Sequence, residues 1–447
     1  MKVKNYFVMM FAVTALFACN NDDEGQGQLP EGKAYVSLNI SLKDPGTKTV
    51  DPSDANAEDV EAAVKTIDVY LERDGAMTGY DQIASLNISS FNQMGNTYTT
   101  NSPVEVSGTA GDHTRRLFVV INKPLNFDPS YISTDGIYVD YIANLANASD
   151  GFVMFNASEV FANLEATDID AAANVTQVSV ERLAAKALLT TTLDFANNVQ
   201  DEQPDGSSTG VFQAHSLKWQ IRNSNTQMYY IKKNDYKSPN WTYTPSSFSD
   251  YVSVPWGVDI EVPLASDLNL TGTGYMKDGT AKVQYFTENT NEKYVYGNTT
   301  LMTIQAAFVP TKIATGFNAG DDKFTMDDAN TTLQTFYYAV AEKTYMTETA
   351  YNAFIVAHTG ATVWGPYTNG VCYYQVPIGV APLDDEANLG AKRNHFYKGN
   401  ITKLIAPGQS KPDPDPDEPV IKDKVWIGVE LTIEPWNMMD MGSIELQ

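Results

Sequence analysis

The chain has 447 residues, of which 55 are Asp or Glu and 30 are Lys or Arg, for a formal net charge of −25. Acidity of that size argues against nucleic acid as a partner, because a phosphate backbone selects basic surfaces. The only cysteines are Cys19 and Cys372.

Lys2 and Lys4 precede an apolar run from Tyr6 to Phe17 that is interrupted only by Thr14. At about a dozen residues this run is too short to span a bilayer as a helix, and it reads as the core of a signal peptide. It ends in Leu16-Phe17-Ala18-Cys19, which looks like a lipobox, with a small residue before the cut and a thiol to take lipid. Residues 1–18 are therefore expected to be a lipoprotein signal peptide and Cys19 the lipidation site. A plain signal peptide with an incidental cysteine is the alternative. With Cys19 lipidated, Cys372 has no partner for an internal disulfide, and a cysteine-built zinc site is excluded. Stability must come from burial, and the length allows two domain cores.

From Ala34 to Leu42 the residues alternate, with Val36, Leu38, Ile40 and Leu42 on one face and Ser37, Asn39 and Ser41 on the other. A period of two is the signature of a half-buried strand. Pro45-Gly46 and Pro52 place the following stretch in a loop, so Lys48 is expected in an exposed link open to proteolysis. Arg73, after the alternation Ile67, Val69, Leu71, is expected at a strand end and is a poorer target. Residues 64–71 and 116–122 read as strands, the second apolar enough to be buried on both faces. Residues 140–164 have the composition of one or two helices, broken near Asn147 to Asp150. Strands are expected at 175–180 and 187–193, separated by 181–186, with a domain boundary near Glu181.

The second half is rich in strands and turns, with strands expected at 216–221, 228–231, 260–263, 301–309, 371–377 and 400–405. Trp241, Trp256 and Trp364 are expected in loops, and only 333–341 and 347–356 look helical. Lys411 to Pro419 alternates proline with acidic residues, an extended, solvated spacer expected to deliver the last segment away from the domain body. That segment alternates again, with Val425, Ile427, Val429, Leu431 and Ile433 on one face. Pro435 should end regular pairing or lie at a sheet edge. Beyond Trp436 a tail still carries Met439, Met441, Ile444 and Leu446, apolar residues that need a surface to pack on.

No catalytic pattern stands out. His113, His215, His358 and His395 are scattered, and no phosphate loop, GxSxG or HExxH occurs. Asp321-Asp322 and Asp327-Asp328 lack the ligand alternation of a calcium loop and read as a solvated acidic turn. No metal, cofactor or catalytic residue is assigned.

On periodicity alone the first and last strands are ordinary members of a sheet. Their order along the chain, together with a further set of stretches, resembles the Bacteroidales fimbrillin family. That set is Ser216-Leu217-Lys218-Trp219, Gly297-Asn298-Thr299-Thr300, Arg393-Asn394-His395-Phe396-Tyr397-Lys398-Gly399-Asn400-Ile401-Thr402-Lys403, the Asp-Pro spacer and Val425 to Trp436. The resemblance implies a mainly β fold of two β-sandwich-like (transthyretin-like) domains with a few short helices. It implies a propeptide at 19–48 that includes the first strand, an N-terminal domain at 49–181 and a C-terminal domain at 182–410. A spacer at 411–422 and a donor strand with its tail at 423–447 would follow. A trypsin-like protease would cut between Lys48 and Thr49, where the family commonly presents Arg, and remove Val36, Leu38, Ile40 and Leu42. The C-terminal strand of another copy would then fill the gap, building a type V pilus. Expected partners are other copies of the chain, tip and anchor subunits, the outer membrane through the lipid before maturation, and adhesion receptors on host or bacterial cells. The alternatives are a tip or anchor subunit, or a surface glycan-binding lipoprotein suggested by the Tyr and Trp content.

Overall fold

The computed structural model describes residues 32–42, 63–73, 79–94, 96–133, 135–140, 142–147, 151–242, 251–252, 260–261, 283–379, 383, 385–413, 415–420 and 427–435. The first strands in chain order are β1 (Lys33–Val36), β2 (Leu38–Leu42), β3 (Thr66–Glu72), β4 (Tyr80–Asn87), β5 (Phe91–Met94), β6 (Thr97–Thr100) and β7 (Val104–Ser107). They are followed by β8 (Leu117–Ile121), β9 (Ile137–Val139), α1 (Ile142–Leu145), β10 (Ala146–Asn147), β11 (Gly151–Phe152), β12 (Met154–Asn156), α2 (Asp168–Ala173) and β13 (Thr176–Arg182). Next come β14 (Ala184–Thr191), β15 (Val199–Gln200), β16 (Gly210–Phe212), β17 (Lys218–Arg222), β18 (Ser224–Asn225), β19 (Gln227–Tyr229), β20 (Tyr251–Val252), β21 (Ile260–Glu261) and β22 (Val283–Thr287). The remainder is β23 (Leu301–Pro310), β24 (Ile313–Asn318), β25 (Lys323–Asp327), β26 (Phe336–Ala339), β27 (Thr344–Met346), α3 (Glu348–Ala357), β28 (Val363–Tyr367), β29 (Val371–Pro377), β30 (His395–Leu404) and β31 (Ile427–Pro435). The protein is mainly β.

The N-terminal part is organised on an eight-stranded sheet in the order β4-β3-β8-β12-β13-β2-β6-β5. Both of its faces are covered. Ile67, Val69, Leu71, Leu117, Val119 and Ile121 enter one apolar cluster, while Tyr70, Phe118 and Val120 enter another on the opposite side. That two-sided burial is why β8 reads LFVVI without alternation, every residue being buried. Among the described residues, the stretch 140–164, expected to be helical, holds the single-turn α1 and the three short strands β10 to β12. Its apolar residues are divided between the two faces, Phe152 and Met154 in one cluster and Val153 and Phe155 in the other, a period of two that composition alone does not reveal.

Only Leu183 separates β13, in this sheet, from β14, in a four-stranded sheet of order β22-β14-β30-β31. Residues 181–186 are thus strand on both sides of one residue and do not form the expected separator. The four-stranded sheet shares a core with a sheet of order β15-β16-β23-β17-β21, in which β29 also pairs with β23. Ala187 and Leu189 of β14 and Tyr397 and Ile401 of β30 supply one side of that core. Trp219, Ile304, Phe308 and Tyr374 supply the other.

Between β23 and β29 the chain builds a five-stranded sheet, β25-β24-β27-β26-β28, against α3. Thr347 caps α3 by accepting a hydrogen bond from the Ala350 amide, and the helix falls within the stretch 347–356 expected to be helical but for its last residue, Ala357. The expected helix at 333–341 is instead the strand β26. Phe336 enters the large core while Tyr337 packs with the α3 cluster, so successive side chains serve opposite faces.

Candidate functional site

The first described segment forms an interior strand. Ser37 divides the expected nine-residue strand in two. β1 pairs antiparallel with β7, and β2 lies between β13, in parallel register, and β6, in antiparallel register. Despite the division, Val36, Leu38, Ile40 and Leu42 enter one apolar cluster, the first three fully sealed from solvent. The polar face is also used. The Asn39 amide donates to Gln177 Oε1 at 2.8 Å, and Thr99 Oγ1 donates to Asn39 Oδ1 at 3.2 Å. The Leu38 amide donates to Thr100 Oγ1 at 3.1 Å, and the Leu42 amide to the Asn96 carbonyl at 2.9 Å. At the outer end Lys33 pairs with Glu105 at 2.7 Å, a hydrogen bond that holds the lysine pKa up. Burial raises the Tyr98 phenol on the neighbouring β6.

Taking β2 away would expose the β13 edge, the β6 edge and the surface that four apolar side chains cover. At roughly 1.5–3 kcal/mol each, those side chains account for about 6–12 kcal/mol. This is comparable with the net stability of a whole domain, about 5–15 kcal/mol. A slot of that kind calls for a replacement strand.

At the other end β31 pairs antiparallel with β30, from His395 opposite Pro435 to Leu404 opposite Ile427. It is the outermost strand of its sheet among the described residues. Pro435 is the last described residue of this edge strand, a position that suits a residue with no amide to donate. Ile427, Val429, Leu431 and Ile433 all fall within β31. Val425, Trp436, Met439, Met441, Ile444 and Leu446 lie outside the described residues, as do Cys19, Lys48 and Thr49.

The expected spacer is not a free arm. Asp413 pairs with Arg222, Gln375 Nε2 donates to the Pro412 carbonyl at 2.7 Å, and the amides of Gly297 and Tyr296 donate to the carbonyls of Pro416 and Glu418. Val420 is buried in the large core. Proline carbonyls accept hydrogen bonds as well as any others, so a proline-rich segment lies readily along a body that offers donors.

A buried ionic junction, which no sequence pattern announced, binds the halves together. The Arg393 guanidinium donates to both carboxylate oxygens of Glu288 at 3.2 Å and to the Tyr229 carbonyl at 3.1 Å. Nearby, Lys232 Nζ donates to Glu181 Oε2 at 2.8 Å, and Arg182 donates to Asn394 Oδ1 at 3.2 Å. Burial pushes the Glu288 pKa up, and the guanidinium opposes that shift. The junction joins the end of β13, the 227–232 segment and the entry to β30, while Met228, Tyr230 and Ile231 pack on the N-terminal sheet. The acidic turn near Asp321 is also absorbed locally, Asp322 meeting His358 at 2.7 Å. Among the described residues no cluster of His, Cys, Asp and Glu could hold a metal.

The described chain is mainly β, with an N-terminal strand buried inside one sheet and a C-terminal strand on the edge of another. The model of the family "Major fimbrial subunit protein type IV, Fimbrillin, C-terminal" matches residues 366–441, which include β29, β30 and β31. The whole chain is similar to the minor fimbrium subunit Mfa1 of Porphyromonas gingivalis, 21% identical, with 96% of this chain and 98% of that protein covered. Among solved structures it is similar to a fimbrillin (FimA) of Porphyromonas gingivalis W83, 15% identical over 91% of this chain and 98% of that one, with a TM-score of 0.44. It is also similar to the C-terminally truncated tip fimbrial protein Mfa3 of the same species, 13% identical over 90% and 100%, with a TM-score of 0.38.

Proposed function

We propose that this protein is a structural subunit of a cell-surface fimbrium, built into the stalk by exchange of strands between copies, and that it catalyses no reaction. The observation that carries this reading is the place of β2, an interior strand made by the earliest described segment and held between β13 and β6. In this reading the precursor is exported as a lipoprotein anchored in the outer membrane through Cys19. A protease of trypsin-like specificity cuts between Lys48 and Thr49 and releases β1 and β2. The C-terminal tail of a second copy, Trp436 to Leu446, enters the vacated slot, with β31 remaining on its own β30. The domains are 49–181 and 182–410, joined at the β13–β14 passage. Donation from one copy to the next is head-to-tail and does not close, so it yields filaments that tip and anchor subunits terminate. Such filaments would carry adhesion and support biofilm formation.

The test is limited trypsin digestion of the purified full chain, followed by electrophoresis without boiling. A ladder of multiples that forms with the native sequence and fails with Lys48→Ala supports the reading. A product that has lost residues 1–48 and stays monomeric at high concentration contradicts it.

A further inference from the structure

Exposed apolar side chains gather in one place on the N-terminal half. β9 and β19 form a two-stranded ribbon, with Ile137 opposite Tyr229 and Val139 opposite Gln227. Tyr138 and Met228 enter the apolar cluster on the inner side of the ribbon, so Ile137 and Val139, one residue to either side of Tyr138, face outward. They are 41% and 56% exposed. Asn126 Nδ2 donates to the Val139 carbonyl at 3.1 Å, which sets the fully exposed Leu125 beside the ribbon. Tyr131, also exposed, lies against its base, where a Cβ on Gly136 would collide with the Tyr131 carbonyl. Lys233 lies over the Tyr229 ring at 4.6 Å and pairs with Asp135, so the face is closed over β19 and open over β9. Among the described residues other exposed apolar side chains, such as Met94, Ile169 and Val356, stand on separate elements. A gathered apolar face marks a surface made to be covered.

The chain itself supplies a segment of the right kind in the right place. β31 ends at Pro435, opposite His395. Two residues before His395, Arg393 donates to the Tyr229 carbonyl at 3.1 Å, and Tyr229 stands opposite Ile137. That path is about 30 Å at most. The 12 residues 436–447 reach about 40 Å when extended. Met439, Met441, Ile444 and Leu446 bring apolar cover, and methionine adapts to an uneven surface. Asp440 and Glu445 bring negative charge. Lys392, next to Arg393 on the route, lies over the Tyr236 ring at 5.2 Å and makes no ion pair among the described residues, so its ammonium can take a carboxylate.

We propose that residues 436–447 dock within their own chain on the outward face of β9, with Leu125 and Tyr131 at its margins. A tethered tail meets this face at an effective concentration that a separate molecule does not reach in dilute solution. The docking itself does not need strand exchange, while its consequence rests on the function proposed above. There the docked tail is the donor arm held back, and an opened slot in a neighbouring copy draws it across by offering main-chain pairing and deeper burial.

The experiment is photocrosslinking of the full, uncut chain carrying p-benzoylphenylalanine in place of Val139, with Leu125 as a second attachment point and Ile169 on α2 as the control. Crosslinked peptides are mapped by mass spectrometry. Crosslinks from position 139 or 125 into residues 436–447 are expected, at monomer mass and in a proportion unchanged by dilution. They should be absent from position 169 and lost when Met439→Asp and Met441→Asp are introduced together. No crosslink to the tail from either position, an equal yield from the control, or crosslinks found only at dimer mass, which would make a second copy the occupant, overturns the proposal. Because the chain is uncut, these outcomes are read separately from the ladder that tests strand exchange.

Discussion

Ile40 stands opposite Val178 in parallel register, and both side chains are sealed in the same apolar cluster. This pair marks the middle of the strand on which the N-terminal sheet closes. Ile40→Ala removes buried carbons from a site walled by β13 and β6, which cannot collapse freely. The precursor should lose about 2–5 kcal/mol of stability, measured as a lower urea midpoint at unchanged slope. In material already processed after Lys48 the same substitution should have no effect on the stability of the filament.

Arg393→Ala leaves Glu288 buried and unpaired. A loss of about 3–5 kcal/mol is expected, read from urea unfolding of the full chain. The double variant Arg393→Met with Glu288→Leu should be more stable than Arg393→Ala, because no uncompensated charge remains. A double variant no better than the single would show that the pair matters through packing and not through charge.

Cys372 is fully buried, and burial pushes its thiol up to about 12. In the folded chain it should resist iodoacetamide at pH 9, where an exposed thiol is substantially ionised, and react once the chain is unfolded. Peptide mass mapping reads this directly. The sign for stability follows. The unfolded thiol loses its proton first, so this group's contribution is intact below about pH 9 and declines as pH rises through the window from about 9 to about 12.

Deleting residues 437–447 should leave a folded chain that is cut normally and fails to polymerise, since β31 pairs with its own β30 without them. Gel filtration after trypsin treatment checks this. Filaments formed as readily as by the intact chain would remove the tail from the donor arm.

Much of this architecture was legible in the residues. The alternation at Val36, Leu38, Ile40 and Leu42 marked a strand, and the unbroken apolar run at Leu117–Ile121 marked one buried twice. The positions of Leu301–Pro310 and Val371–Pro377 followed from the same periods. What escaped was set by tertiary context. Phe336 and Tyr337 serve two different cores, which makes a strand of a segment with helical composition. The acidic spacer looked solvated, yet Val420 anchors it to the large core. The Arg393–Glu288 junction joins residues 105 positions apart, and no local pattern could bring them together.

The most direct test of strand exchange is the N-terminal sequence and mass of the protein recovered from filaments sheared off the cell surface. The account predicts a chain that begins at Thr49, without lipid, in a ladder of oligomers. Filaments whose subunits still begin at an acylated Cys19 would keep β1 and β2 in place, leave no slot to fill and contradict the account.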